Sequence, residues 1–132
     1  MCGIFGSTRK IDNEALSKVM DLLDHRGPDS QGHERLLSPV VEHPITFAHT
    51  RLAIQDLSAS GHQPMASQNR RWWITFNGEI YNHFELRSKL KTKFHGTSDT
   101  ETLLEYIACY GLEQTLAEIN GMYALAVFDL QE

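Results

Sequence analysis

Apolar residues recur at helical spacing in the first part of the chain. Leu16, Val19, Met20 and Leu23 stand at positions i, i+3, i+4 and i+7, which gathers them on one face of a helix predicted over residues 13–26. Gly27-Pro28 ends this helix, because glycine tolerates the conformation that follows a helix and proline cannot continue one.

Two further helices are predicted from capping boxes, in which a polar residue and a glutamate three positions later satisfy the first N–H groups of a helix. Asn82 and Glu85 have this spacing and open a short helix to about residue 91. Ser98 and Glu101 open a longer helix, which Gly111 is expected to end. Residues 113–119 are expected to form one more short helix.

Four segments have the composition of strands, with many β-branched and aromatic residues: 2–7, 45–55, 71–76 and the apolar run 122–130, which is expected to be buried. Strands and helices do not alternate regularly, so the pattern predicts an α+β domain with segregated layers. The sequence ends directly after the last predicted strand, and we therefore expect the domain to lack its closing elements.

Length, charge and residue composition argue against several classes of protein. At 132 residues and 15.0 kDa the chain fits one domain. A net charge of −5 gives no reason to expect nucleic acid or an anionic membrane as a partner. No apolar run approaches the ~20 residues of a membrane span, and no secretory signal is recognisable. With only two cysteines, Cys2 and Cys109, a reducing cytoplasm is the expected location. The seven histidines lack metal-ligand spacing, so no metal is expected.

The first candidate for chemistry is Cys2. A small second residue permits removal of Met1, after which one residue carries both a thiol and a free α-amine. Such an amine is partly neutral at physiological pH and can act as the base that activates a nucleophile. The alternative from position alone is a small buried cysteine in a first strand.

Three other signals each allow a structural and a functional interpretation. Asn77-Gly78 is typical of a hairpin turn, but it could also supply two N–H donors to an oxyanion hole. Asp99 suits the first turn of a helix, or it could accept a substrate ammonium. Arg51 could face solvent, or its planar fork could bind a carboxylate. Together with Cys2, these groups would hydrolyse the side-chain amide of a free amino acid.

At this point the sequence resembles a known family, the class II glutamine amidotransferases, and within it the amidotransferase domain of asparagine synthetases. The matching motifs cover the whole chain in the family's order: Cys2-Gly3-Ile4-Phe5-Gly6, His25-Arg26-Gly27-Pro28-Asp29-Ser30, His49-Thr50-Arg51-Leu52-Ala53-Ile54, Gly61-His62-Gln63-Pro64-Met65, Phe76-Asn77-Gly78-Glu79-Ile80-Tyr81-Asn82, Ser98-Asp99-Thr100-Glu101 and Asn120-Gly121-Met122-Tyr123-Ala124.

The resemblance implies the four-layer αββα sandwich of N-terminal nucleophile hydrolases and a glutaminase reaction. Cys2 would form a γ-glutamyl thioester, with its own amine as base and with Asn77 and Gly78 as the oxyanion hole. Arg51 would hold the α-carboxylate of glutamine and Asp99 its α-ammonium. The pocket would be lined by the backbones of Leu52, Ile54 and Glu79. No metal or organic cofactor is implied for this step.

The resemblance also implies what residues 1–132 do not contain. In this family the domain continues through further strands and joins a synthetase domain, on which ATP and Mg²⁺ act to make asparagine from aspartate. No phosphate-binding motif is present in this sequence. We therefore expect a partner synthetase domain or chain that receives the ammonia, or self-association of this chain. The alternatives are a non-catalytic module that binds glutamine or a partner synthetase, and an amidase for another amide.

Overall fold

A computed structural model of the protein describes residues 1–54 and 56–131. Within these residues the chain forms six strands and four α-helices. In chain order they are β1 Gly3–Ser7, α1 Asn13–Leu23, β2 Ser30–Leu36, β3 Ile45–Arg51, β4 Met65–Ala66, β5 Trp72–Ile80, α2 His83–Ser88, α3 Asp99–Tyr110, α4 Leu112–Glu118 and β6 Gly121–Asp129. None of the helices in this part of the chain has the length and apolar character needed to cross a membrane.

The strands form two antiparallel three-stranded sheets, with strand orders β1-β3-β2 and β4-β5-β6. Helix α1 covers the outer face of the first sheet by packing Leu16 and Met20 against Ala48. Helix α3 covers the second sheet through a larger cluster around Leu104 and Ile74. A third cluster of buried side chains joins the two sheets, and the resulting order of layers is the predicted αββα sandwich.

The helix predictions are largely confirmed. The first α-helix ends at Leu23 and continues as a single 3₁₀ turn to Arg26. Ser98 caps α3 by accepting the N–H of Glu101 at 3.2 Å, and Gly111 ends it with a φ of 83°, a value that favours glycine. The capping box predicted at Asn82 is wrong, because its side chain bonds instead to the backbone around residues 118–120.

Three strand predictions need correction. The strand predicted to run to residue 55 ends at Arg51, and position 55 lies outside the described residues. The hairpin turn considered at Asn77-Gly78 does not form, because β5 continues through both residues to Ile80 and pairs with β6. Strand β6 is not fully buried: its first residues are largely exposed, since it lies at the edge of its sheet. The mainly polar β2 and the two-residue β4 were not predicted.

Candidate active site

The Cys2 thiol lies where the chain enters β1, beside the end of β3. Its Sγ accepts the N–H of Leu52 at 3.4 Å and lies 3.7 Å from the carbonyl oxygen of the same residue. The next residue, Gly3, donates its N–H to Thr50 Oγ1 at 3.2 Å, and Arg26 Nε donates to the Cys2 carbonyl at 3.1 Å. These hydrogen bonds fix the position of the sulfur relative to β3 and to Leu52, which follows it.

A cavity of about 480 Å³ opens beside this thiol. Its wall contains all of the positions predicted from the sequence, which are Cys2, Arg51, Leu52, Ile54, Asn77, Gly78, Glu79 and Asp99. Met1 also lines the cavity, and it is 70% exposed. The fold thus brings together Cys2, which directly precedes β1, with residues at and after the end of β3, in β5 and at the start of α3, although the chemical role of each remains a prediction.

Beyond Ile74, no strand among residues 1–54 and 56–131 pairs with the edge of β5 that faces the cavity. Tyr81 donates its N–H to Asn120 at 2.7 Å, and Leu130 donates to the Arg71 carbonyl at 2.9 Å, so the odd-numbered residues along β5 hydrogen-bond toward β6. Since this direction alternates along an antiparallel strand, the even-numbered N–H groups point the other way. Among residues 1–54 and 56–131, the N–H of Gly78 has no hydrogen-bond partner.

Asn77 lies one position before Gly78. Its side chain is half-buried, lines the cavity and forms no hydrogen bond with any described residue. On the other side, β6 passes so closely that a Cβ at position 78 would lie 2.6 Å from the Cα of Tyr123. Glycine is therefore required there, and a carboxamide and a backbone N–H are both left available at one point of the cavity wall.

Arg51 is not a solvent-facing arginine. It is the last residue of β3, and its guanidinium donates to the backbone carbonyls of Asp56 and Ser58, the latter at 2.8 Å. The carboxylate of Asp56 in turn accepts the N–H and hydroxyl of Ser58 and the N–H of Thr97 at 2.5–2.9 Å. These hydrogen bonds, that of the Ser58 hydroxyl first, lower the pKa of Asp56 to about 2. Asp56 was not predicted from the sequence.

Asp99 is the first residue of α3 and is only 5% exposed. One of its carboxylate oxygens, Oδ2, accepts the N–H of Ile80 at 2.9 Å. Burial is the main reason why the pKa of Asp99 is raised above its usual value, and the hydrogen bond from Ile80 works against this shift. The neighbouring His83 is also buried, and its pKa is lowered for the same reason.

Two buried polar residues of the cavity wall were quoted in motifs but not predicted as site residues. His49 Nε2 lies 3.2 Å from the carbonyl oxygen of Phe76. Gln63 Oε1 accepts the N–H of the same Phe76 at 2.6 Å. Both side chains are almost fully buried. A buried polar side chain in a cavity wall is the structural signal that identifies them as site residues, and the sequence does not show it.

The remaining predicted positions also line the cavity. Leu52 contacts the thiol through its backbone, and the Ala53 N–H after it donates to Asp29 Oδ2 at 2.8 Å. Ile54 is largely exposed, and Glu79 lies opposite Met122 in the pairing of β5 with β6. In the described part of the chain, no group of three or more His, Cys, Asp or Glu side chains is arranged to hold a metal ion.

Among known protein families, one matches this chain over its whole length. A family model described as a glutamine amidotransferase domain matches residues 1–132. The chain is 38% identical over 139 residues to the glutamine-hydrolysing asparagine synthetase 1 of Bacillus subtilis, covering 98% of this chain and 21% of that protein. It is 36% identical over 141 residues to the glutamine-hydrolysing asparagine synthetase of Zea mays, covering 100% and 22%.

A relative with a different name is the amidase chyE of Penicillium rubens, which is 37% identical over 124 residues, covering 92% of this chain and 17% of that protein. The chain thus spans about a fifth of the length of these relatives. Because the family model matches the chain from end to end, this protein belongs to the glutamine amidotransferase domain family.

Proposed function

We propose that this domain catalyses the glutaminase half-reaction, in which glutamine is hydrolysed to glutamate and ammonia through a thioester on Cys2. The observation that carries the proposal is the cavity, whose wall contains Cys2, Gly78, Asn77, Arg51 and Asp99. These groups match the reacting amide and the two charged ends of a free amino acid.

In the proposed reaction, the Cys2 sulfur attacks the side-chain carbonyl carbon of glutamine, and the thiol proton passes to the α-amine of the same residue. The carbonyl oxygen becomes an oxyanion that accepts hydrogen bonds from Asn77 Nδ2 and the Gly78 N–H. One such donor typically lowers a barrier of this kind by about 2.7–4 kcal/mol. The protonated amine then transfers its proton to the leaving ammonia. Water finally attacks the thioester, releasing glutamate and restoring the thiol.

The two charged ends of glutamine would bind at opposite parts of the wall. The guanidinium of Arg51 is held by two backbone carbonyls, so its remaining N–H donors are oriented to receive the α-carboxylate. Asp99 uses Oδ2 for the Ile80 N–H, and its other oxygen is proposed to accept the α-ammonium. Backbone groups of Leu52, Ile54 and Glu79 would complete the pocket. This step uses no metal or organic cofactor.

The ammonia would serve a second reaction that takes place outside these residues. The relatives named as asparagine synthetases are about five times as long as this chain, which supports a synthetase partner, in the same protein or a separate one, that uses ATP and Mg²⁺ to amidate aspartate. One related protein is named as an amidase, so an ammonia acceptor other than aspartate is a second candidate.

The decisive experiment measures glutamate release from glutamine by protein whose Met1 has been removed, as verified by intact mass. We expect turnover that is abolished in Cys2→Ala and in protein that retains Met1, because the latter has no free amine on Cys2. Asparagine, which is one methylene shorter, serves as the control substrate and should be hydrolysed far more slowly. If processed wild-type protein and Cys2→Ala release glutamate equally, the domain is not a glutaminase. Binding of glutamine without turnover would identify the non-catalytic module instead.

A further inference from the structure

In the described part of the chain, side chains bond to the cavity-facing edge of β5 where it has no neighbouring strand. Strand β4 pairs with β5 only as far as Ile74. Beyond that point the Phe76 N–H is accepted by Gln63 Oε1 at 2.6 Å, and the Ile80 N–H is accepted by Asp99 Oδ2 at 2.9 Å. Within the described residues, the Gly78 N–H between them is the one left without an acceptor.

Gln63 connects this edge to a second part of the site. Its side chain is 5% exposed, and its Nε2 donates to Thr100 Oγ1 at 3.3 Å. Thr100 follows Asp99 directly in the first turn of α3. A single buried carboxamide therefore spans the distance between the strand that carries Gly78 and the helix that carries Asp99.

The carbonyl group of Phe76 is held from another direction. His49 Nε2 lies 3.2 Å from this oxygen, so both polar backbone groups of Phe76 are bonded to buried side chains. Phe76 precedes Asn77, and a shift of its peptide would move the proposed oxyanion donors with it. Displacements of about 1 Å at such donors can reduce rates by about 10²-fold.

We infer that Gln63 is a positioning residue, which holds the Asn77-Gly78 donors at a set distance from Asp99 by bonding to Phe76 and Thr100. The inference rests on the proposed function, since it assigns to Gln63 a part in orienting the oxyanion hole. Both polar ends of its side chain are engaged by protein groups, so Gln63 acts through the strand and not by contact with glutamine.

The test compares two substitutions of Gln63 with a matched control on the same strand edge. Gln63→Met has a similar size but neither hydrogen bond, whereas Gln63→Glu keeps an acceptor oxygen for the Phe76 N–H whether or not it is ionised. The control is Ser67→Ala, because Ser67 Oγ accepts the Trp72 N–H at 3.0 Å on the same edge, at the end remote from Gly78. For each variant, kcat and KM for glutamine, the Kd for glutamate and the Tm are measured.

We expect Gln63→Met to lower kcat by roughly 10- to 100-fold, the size of effect that a displaced donor produces. Its KM and its Kd for glutamate should change by less than about threefold, because glutamate binding does not use an oxyanion. Gln63→Glu should recover part of kcat. Ser67→Ala should lower Tm while leaving kcat close to that of the wild type.

Two results overturn the inference while leaving the proposed function intact. The first is an active wild-type protein whose kcat is unchanged in Gln63→Met. The second is an equal fall of kcat in Gln63→Met and Ser67→Ala. It would mean that loss of any hydrogen bond along this edge of β5 has the same effect on the reaction. Inactive wild-type protein, with Met1 shown to be absent, overturns the proposed function and the inference together.

Discussion

The carboxylate of Asp99 accepts the N–H of Ile80 at 2.9 Å, two residues beyond Gly78 on the same edge of β5. The proposed ammonium acceptor and the proposed oxyanion donor are therefore held by one strand. Their separation is set by the backbone of residues 78–80 together with the first turn of α3. Substrate binding and catalysis can be separated by choosing substitutions that keep this bond.

Asp99→Asn is such a substitution, since the amide oxygen still accepts the Ile80 N–H while the negative charge is lost. We expect KM for glutamine to rise by roughly 10- to 100-fold, because a buried charge-assisted hydrogen bond to the α-ammonium is removed. The Tm should not fall, because the pKa of the Asp99 carboxyl is raised by burial and its ionised form is costly to fold. Kinetics and thermal unfolding of the same samples check both statements.

The pH dependence of binding supplies the control for Asp99. Because the pKa of this carboxyl is raised, glutamine affinity should begin to decline, as the pH is lowered, at a higher pH than an ordinary aspartate would require. Asp99→Asn should bind weakly at every pH and lack this decline. A wild-type affinity that stays constant down to the usual range of aspartate would contradict the assignment of Asp99 as the ammonium acceptor.

Arg51→Lys preserves the positive charge but not the planar fork. The wild-type guanidinium donates to the carbonyls of Asp56 and Ser58 and still has N–H groups for a carboxylate, whereas an ammonium cannot reproduce that arrangement. We expect KM for glutamine to rise by about tenfold or more, corresponding to about 1.4 kcal/mol or more of lost binding. Arg9→Lys is the control, because Arg9 is exposed and lies just after β1. This variant should have wild-type kinetics. Equal KM values in the two variants would exclude Arg51 from the carboxylate site.

The sequence predicted which residues form the site better than it predicted how they are held. Cys2, Arg51 and Asp99 were predicted from their side-chain chemistry and from ordered motifs, and all three line one cavity. The local signal at Asn77-Gly78 favoured a turn, but pairing with β6, more than 40 residues away in sequence, keeps these residues in a strand. Local propensity has no information about such a distant partner.

The supporting hydrogen bonds were missed for the same reason. His49 and Phe76 are 27 positions apart, and the Asp56–Thr97 bond spans 41 positions. A polar residue that will be buried cannot be distinguished from an exposed one by its neighbours in sequence. Strand β2 was missed because most of its side chains are polar and exposed, so it lacks the alternation that indicates a half-buried strand.

His49 should make the stability of the domain depend on pH. Burial lowers the pKa of this histidine from 6.5 to about 4, and the charges of His62 and Arg51 contribute in the same direction. As the pH falls, the unfolded chain takes up the proton first, so stability is constant above the unfolded pKa and is lost below it. Between about pH 7 and about pH 4 we expect a loss of roughly 2–3 kcal/mol from this group.

The variant His49→Gln isolates that contribution, since glutamine can still donate an N–H to the Phe76 carbonyl but does not titrate. Denaturant unfolding of both proteins across this pH range gives the difference directly. The wild-type free energy of unfolding should fall more steeply toward low pH than that of the variant. Parallel curves for the two proteins would show that His49 is not held neutral in the folded state.

Gly78→Ala tests the close approach of β5 and β6 beside the cavity. A Cβ at this position would lie 2.6 Å from Tyr123 Cα and would also meet the carbonyl of Met122, so the strands must separate. Overpacking of this kind typically costs about 1–3 kcal/mol, and the shifted N–H should lower kcat by roughly 10²-fold. Gly6→Ala is the matched control, because its Cβ would find Phe47 at an ordinary 3.6 Å. It should keep both the free energy of unfolding and kcat. A Gly78→Ala protein with a lowered free energy of unfolding but wild-type kcat would show that the reaction does not depend on the position of the Gly78 N–H.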